Sequence, residues 1–413
     1  MKIYIETNGC AVQRHETYKI ANFFIANGWE EIESPEQADM IVMTTCGVVK
    51  WTEENALSAI KRLSTLKKKG APLVVSGCLP SINSDSINNI DHNIIQIDTK
   101  EMERFNELIN AKVPYETIDY NANPNRHHSL GDPEVHVEQN EIDDIKLINM
   151  FPEHKRVLDE SFRYTTKGQH LWREPDLFEI RVSYGCASNC SYCITKKAIG
   201  NFKSVPKERI ISQFYSGLSQ GYKKFMLMGD EIGFYGIDTN DSLKALIDAI
   251  YDIPGDFRVG IRYIHPDMLV REYEGLEKYF ANGFIFYFCT AFQSGSPKIL
   301  KAMNRNPDIT PLINILREMD NKRFPVYKHT QVIVGFPGES EQDFLRTFQV
   351  LNCCGFDYVT VTQFSPREGT VAATLEDQVS DEVKAKRYKQ ILDWMNINRS
   401  ARLYRRLKQE LLK

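Results

Sequence analysis

No run of apolar residues in this 413-residue chain is long enough to cross a bilayer. The longest, Phe284 to Phe292, falls far short of the roughly 20 residues a membrane helix needs. The opening segment, Met1 to Thr7, reads as the start of a strand and has no secretory apolar stretch behind it. A cytoplasmic protein without membrane contact is therefore expected. Strong charge is also lacking. A net charge of −4 gives no general attraction to nucleic acid, although it leaves room for a local basic patch. There is no internal repeat and no low-complexity tract. With 42% hydrophobic and 26% charged residues, the chain can build a large core and is not a disordered one. What it does have is nine cysteines. In a reducing compartment these point to metal binding or catalysis rather than to disulfides.

The first hundred residues alternate strand and helix signals. Lys2–Glu6, Asp39–Thr45 and Pro72–Ser76 read as strands, and Arg14–Asn27 and Thr52–Lys69 as helices that stop at Gly28 and Gly70. Such alternation implies a parallel α/β sheet, here assigned to residues 1–119. Residues 120–173 read as a linker and insertion punctuated by proline and glycine. Its adjacent His127 and His128 are read as exposed loop residues rather than metal ligands. From Leu177 the alternation resumes. Strands are expected at Phe178–Ser183, Lys224–Met228, Arg258–Tyr263, Phe284–Cys289, Lys328–Val334 and Tyr358–Phe364. Helices lie between them at Pro206–Gln220, Ser242–Tyr251, Pro311–Arg323 and Glu341–Cys353. Strand–helix units of this kind predict a partial (β/α) barrel over 174–376, with its site on the loops after the strands. A charged helical tail is expected over 377–413. Its Arg402, Arg405, Arg406 and Lys408 are read as a solvated face.

Cys186, Cys190 and Cys193 form a C-x3-C-x2-C run after the first barrel strand. Thiolates are the usual ligands of iron–sulfur clusters. Three from one loop would hold three irons of a four-iron cluster and leave the fourth open, as reactive metal centres require. The competing readings are a structural zinc site and an electron-transfer cluster. Zinc sites usually pair two C-x2-C arms, and no second arm follows here. Cys10, Cys46 and Cys78 are far apart in sequence, yet each sits just past a predicted strand beside a glycine: Gly9, Gly47 and Gly77. Loops at the strand C-termini of a parallel sheet share one edge, so these thiols are expected to converge. Three unrelated buried cysteines are the alternative. Cys289, Cys353 and Cys354 are read as packing residues.

The central run, with Tyr192 before its last cysteine, looks like the signature of radical S-adenosylmethionine (SAM) enzymes. Together with the N-terminal triplet, it resembles the radical SAM methylthiotransferases over most of the chain. The later motifs match in order. They are Gly229-Asp230-Glu231 with Tyr235-Gly236-Ile237-Asp238, Ile261-Arg262 with His265-Pro266, and Gln293-Ser294-Gly295-Ser296 followed by Leu300, Met303 and Arg305. Gly335-Phe336-Pro337-Gly338-Glu339 and the block Ser365 to Thr370 with Ala372-Ala373 complete the series.

The resemblance implies a flavodoxin-like N-terminal domain followed by a (β/α)6 radical SAM barrel. It implies two four-iron–four-sulfur clusters and SAM as cofactors, and an electron donor such as flavodoxin or ferredoxin. The cluster held by Cys186, Cys190 and Cys193 would cleave SAM to a 5′-deoxyadenosyl radical that abstracts a substrate hydrogen. The cluster held by Cys10, Cys46 and Cys78 would be the auxiliary one that carries sulfur. Tyr192, Gly229, Asp230, Glu231, Arg262, Gln293, Ser294, Gly335 and Phe336 would line the SAM site.

Two departures bear on the substrate. The family usually ends in a small β-barrel, TRAM, and a chain without it is expected, since the sequence stops at Lys413 in a charged segment. Lys196 stands where the family usually has proline, and Ile199 and Val205 where it has arginines. Each phosphate contact normally takes a Lys or Arg. The expectation is therefore methylthio insertion into a C–H bond of a peptide or protein. A tRNA substrate is the alternative, supported by Lys196, Lys197 and Lys203 beside the cluster loop. A non-catalytic iron–sulfur protein for electron transfer or sensing is the third reading. The barrel motifs argue against it, because an electron carrier needs no SAM pocket.

Overall fold

The computed structural model describes residues 1–118 and 177–411. The expected insertion at 120–173, with His127 and His128, lies outside the described residues.

The N-terminal domain is a parallel sheet of β1 (Lys2–Thr7), β2 (Glu30–Glu31), β3 (Met40–Thr45), β4 (Leu73–Gly77) and β5 (Ile95–Asp98). Its spatial order is β2-β1-β3-β4-β5, the flavodoxin-like order. Strand β3 is buried along its whole length, so both faces must be covered, and alternate residues show how. Met40 and Val42 pack with Ile20, Phe23 and Phe24 of α1 (Ala11–Ala26). Ile41 and Met43 pack with Ala56, Ile60 and Leu63 of α2 (Lys50–Leu66), and with Leu79 of α3 (Leu79–Asn88). Phe105 of α4 (Arg104–Ile109) closes the first face.

The second sheet begins with β6 (Leu177–Arg181). A short antiparallel pair follows, β7 (Ser183–Tyr184) with β8 (Lys203–Ser204), and it brackets the cysteine loop and α5 (Thr195–Ile199). Then α6 (Lys207–Ser219), β9 (Lys224–Met228), α7 (Leu243–Tyr251), β10 (Arg258–Arg262), α8 (Pro266–Ala281) and β11 (Ile285–Cys289) alternate. They are followed by α9 (Pro297–Ala302), α10 (Thr310–Asn321), β12 (Tyr327–Val334), α11 (Glu341–Cys353) and β13 (Tyr358–Gln363). The parallel sheet runs β6-β9-β10-β11-β12-β13, in chain order, which is the expected partial (β/α)6 barrel. Phe214, Phe225, Phe257 and Phe284 form an aromatic layer under the helices. Each fully buried side chain of this size contributes about 1.5–3 kcal/mol. A single long helix, α12 (Asp381–Leu411), closes the described chain and packs Met395 and Trp394 on the barrel.

Two readings need correction. Cys353 is exposed rather than packed, because it ends α11 on the solvent side, with its sulfur 3.6 Å from that of buried Cys354. Val205 lies in the barrel core, and its N–H donates to Val182 O at 2.9 Å. An arginine there would have to be buried, so valine at this position says nothing about phosphate binding. Among the described residues no helix is long and apolar enough to cross a membrane.

Candidate active site between two cysteine triads

Cys10, Cys46 and Cys78 lie at the C-terminal ends of β1, β3 and β4, adjacent strands at the point where the sheet order reverses. In open α/β sheets that edge is where ligands bind. Cys10 and Cys78 are the N-cap residues of α1 and α3. Local bonds fix all three loops. Cys78 N donates to Thr45 O at 2.9 Å. Cys46 N donates to Asn8 Oδ1 at 3.0 Å, and Asn8 Nδ2 donates to Thr52 O at 2.9 Å. Gly77 has φ +97, and a Cβ there would stand 2.4 Å from Thr45 O, so only glycine fits. Burial pushes the Cys78 thiol up, and the neighbouring thiolates of Cys46 and Cys10 push it further.

The second triad sits in the loop inside the β7–β8 bracket. Gly185, at φ +69, lets Cys186 leave the strand: a Cβ there would meet Asn201 O at 2.1 Å. The loop is held from outside by the turn after α9. Ser191 N donates to Met303 O at 3.0 Å and Ser191 Oγ to Ala302 O at 2.7 Å. Asn304 Nδ2 donates to Asn189 O at 2.8 Å, and Arg305 Nη1 to the Tyr192 hydroxyl at 2.9 Å. The Leu300–Arg305 motif is thus a clamp on the cysteine loop. Burial raises the Cys186 thiol to about 11, and Ser188 N donates to its sulfur at 3.4 Å, which favours thiolate.

The predicted SAM residues divide by what they touch. Phe336 is fully buried, with its ring edge-on to Tyr192 at 6.4 Å and to Phe364 at 5.2 Å. Gly335 N donates to Glu339 Oε2 at 2.7 Å, and Glu339 is paired with Arg387 of α12. Burial raises the Glu339 carboxyl to about 7. Gly229 N donates to Arg262 O at 3.0 Å, joining the ends of β9 and β10. Asp230 Oδ2 is taken by Arg181 at 2.6 Å and Gly185 N at 2.9 Å, so it orders the entry to the cysteine loop. Glu231 Oε1 accepts from Gly233 N at 2.8 Å and His265 N at 2.9 Å, and burial raises its carboxyl to about 7. Ser294 Oγ caps its own turn through Ser296 N at 3.2 Å. Gln293, at φ +65, bridges to β12, and its buried Oε1 has no partner among the described residues. Such an orphaned acceptor suits a ligand donor.

Asp230, which accepts from Gly185 N at the entry to the second loop, also pushes the Cys10 and Cys78 thiols up, after burial. Thr99 Oγ1 donates to Ala198 O at 2.6 Å across the domain seam. Two three-thiol donor sets fit four-iron clusters that each keep one iron open. No group of three His, Cys, Asp or Glu side chains among the described residues is arranged to hold a single metal ion.

Comparison with known proteins agrees with this architecture. Residues 2–97 match the Uncharacterized protein family UPF0004, and residues 180–351 match the Radical SAM superfamily. A probable threonylcarbamoyladenosine tRNA methylthiotransferase of Pyrococcus horikoshii is 29% identical over 98% of this chain and 83% of its own length. A tRNA-2-methylthio-N(6)-dimethylallyladenosine synthase of Thermoanaerobacter is 28% identical over 99% and 81%. The fold resembles the radical SAM methyltransferase TsrM of Kitasatospora setae, with a TM-score of 0.57 at 11% identity over 90% of this chain and 77% of that one. The sheet, the cysteine loop and these matches define a radical SAM enzyme. With its second triad and N-terminal domain, the chain resembles along nearly its whole length the radical SAM methylthiotransferases, whose cofactors are two four-iron–four-sulfur clusters and SAM.

Proposed function

We propose that the enzyme transfers a methylthio group to tRNA, at carbon 2 of an adenosine already substituted on N6. The observation that carries this reading is similarity along nearly the whole chain to relatives named for two such nucleosides. It outweighs the expectation of a peptide substrate, which leaned partly on Val205. Lys100, Lys197 and Lys203 are exposed beside the seam, with Lys100 Nζ donating to Lys197 O at 3.3 Å, and they give a locally basic rim suited to phosphates.

In this reading Cys186, Cys190 and Cys193 hold the radical cluster, and Cys10, Cys46 and Cys78 the auxiliary one. When bound, the clusters and SAM supply one-electron reduction, hydrogen abstraction, and sulfur and methyl donation. The chain's own residues do the positioning. The Ala302–Arg305 turn holds the radical loop, and Asp230 sets its entry. Phe336 and Tyr192 make an apolar wall that excludes water, and Gln293 Oε1 offers an acceptor to a bound ligand.

The test is anaerobic reaction of reconstituted protein with bulk tRNA lacking methylthio groups, beside a peptide pool, followed by mass spectrometry. A 2-methylthio nucleoside is expected. Methylthiolated peptide with unmodified tRNA would overturn the reading.

A further inference from the structure

The Ser365–Thr370 block has no role in the cofactor contacts above. Its own contacts show where it belongs. Ser365 Oγ accepts from Lys50 N at 3.1 Å, at the start of α2 in the N-terminal domain. Two residues on, Arg367 forms an ion pair with Glu53 of the same helix, and each side chain is only 10% exposed. The loop then tightens, with Thr370 N donating to Arg367 O at 3.0 Å. Ala372 N ends it by donating to Ser191 O at 2.9 Å, between Cys190 and Cys193. One short loop therefore grips the N-terminal domain at one end and the radical cysteine loop at the other.

Glu53 is equally committed on its own side. Its Oε1 accepts from Asn83 Nδ2 at 2.6 Å, in the helix that opens at Cys78. The residue before it, Thr52, accepts from Asn8, which also holds Cys46 N and lies two residues before Cys10. The loops of all three N-terminal cysteines are thus tied to Glu53 or its neighbour, and Glu53 is tied through Arg367 to the loop of Cys190 and Cys193.

We infer that Glu53 and Arg367 are a positioning pair that fixes the distance and orientation between the two cysteine triads. The inference rests on the two-cluster assignment proposed above. A charge-assisted bond between a carboxylate and a guanidinium is directional, whereas the apolar contacts elsewhere along a seam can slide. Stability is a weak reason to bury such a pair, because desolvation offsets most of its attraction. Geometry is a strong one, since a displacement of about 1 Å can cost about 10²-fold in a positioned reaction.

The test uses the reconstituted full-length protein and the variants Glu53→Gln, Arg367→Lys and the double variant Glu53→Met with Arg367→Met. The double variant leaves no orphaned buried charge, so it keeps the fold if either single change does not. All are expected to hold full iron and to cleave SAM reductively without substrate at the wild-type rate. The magnetic interaction between the two reduced clusters, read by electron paramagnetic resonance, should weaken in the double variant. With tRNA as probe, its methylthio product per SAM cleaved should fall by up to about 10²-fold, with Arg367→Lys in between. A double variant with wild-type magnetic interaction and wild-type product ratio overturns the inference. If the wild-type protein gives no product on tRNA, the substrate reading fails, and the magnetic comparison still decides the role of the pair.

Discussion

Arg305 donates from Nη1 to the Tyr192 hydroxyl at 2.9 Å, and this places a permanent cation against the radical cysteine loop. Burial opposes the charge on Arg305, but Tyr192 and the Cys190 thiolate hold it in place. Burial pushes the Cys190 thiol up while Arg305 pulls it down. A fixed cation stabilises whichever cluster state is more negative, and that is the reduced one. Arg305→Met should therefore lower the reduction potential of the radical cluster by about 60 mV, which corresponds to about 1.4 kcal/mol of lost charge interaction. Tyr192→Phe keeps the cation and should shift it less. A potentiometric titration followed by electron paramagnetic resonance checks both. Equal potentials in wild type and Arg305→Met would show that the arginine is only a clamp.

Changing Cys186, Cys190 and Cys193 together to Ala should halve the iron bound after anaerobic reconstitution, from about eight to about four per chain. Changing Cys10, Cys46 and Cys78 should do the same. The N-terminal variant should still cleave SAM reductively but transfer no sulfur. Full iron content in either variant would refute the assignment of ligands.

Gly185→Ala meets a positive φ and a backbone oxygen at the same time. The strain should destabilise the β7–β8 bracket by more than about 1 kcal/mol and open the cysteine loop. Iron should be lost from the radical site and kept at the other. Spectra showing both clusters at full occupancy would count against the bracket as the holder of that loop.

His265 caps α8 by accepting from Asp267 N at 3.3 Å, which requires a neutral ring. Burial is the main cause that lowers its pKa from 6.5 to about 3, with Arg305 adding to it. Below 6.5 the unfolded chain takes up a proton that the folded ring refuses, so folding stability falls as pH drops from 6.5 toward 3. The slope is at most about 1.4 kcal/mol per pH unit. His265→Asn keeps a capping acceptor without the proton. Its denaturation midpoint should fall less steeply over the same range than that of the wild type. Parallel curves would show that the ring is charged in the folded state.

The strands that carry cysteines were legible because each combines a buried apolar run with a glycine-flanked thiol at its end, as at Thr45-Cys46-Gly47. Lys224–Met228 and Glu341–Cys353 were legible in full for the same reason of pattern. Strand β2 was not: Glu30 and Glu31 form a two-residue acidic edge with no apolar signal. Helix α8 is marked at its start by Pro266 in its first turn and His265 before it. The roles of Asp230 and Ser294 were hidden for another reason. A glycine-acid turn looks the same in sequence whether or not its carboxylate pairs with a distant arginine, as Asp230 does with Arg181. The Glu53–Arg367 pair lies beyond any local pattern, since the contact beside it, Lys50 to Ser365, spans 315 residues.

The two triads also differ in how they are assembled. Cys186, Cys190 and Cys193 share one loop, so their spacing along the chain is short, but the loop is held by residues more than a hundred positions downstream. Cys10, Cys46 and Cys78 meet only when β1, β3 and β4 have paired, which makes their site a product of finished folding. The N-terminal domain leaves the ribosome first, so the site of Cys10, Cys46 and Cys78 is complete before residues 186–193 are made. The loop of Cys186, Cys190 and Cys193 gains its outer contacts only when the Ala302–Arg305 turn and Ala372 have been added. Chain order thus gives the two thiol sites a sequence of assembly, with the one built from three strands finished first and the one built from a single loop finished last.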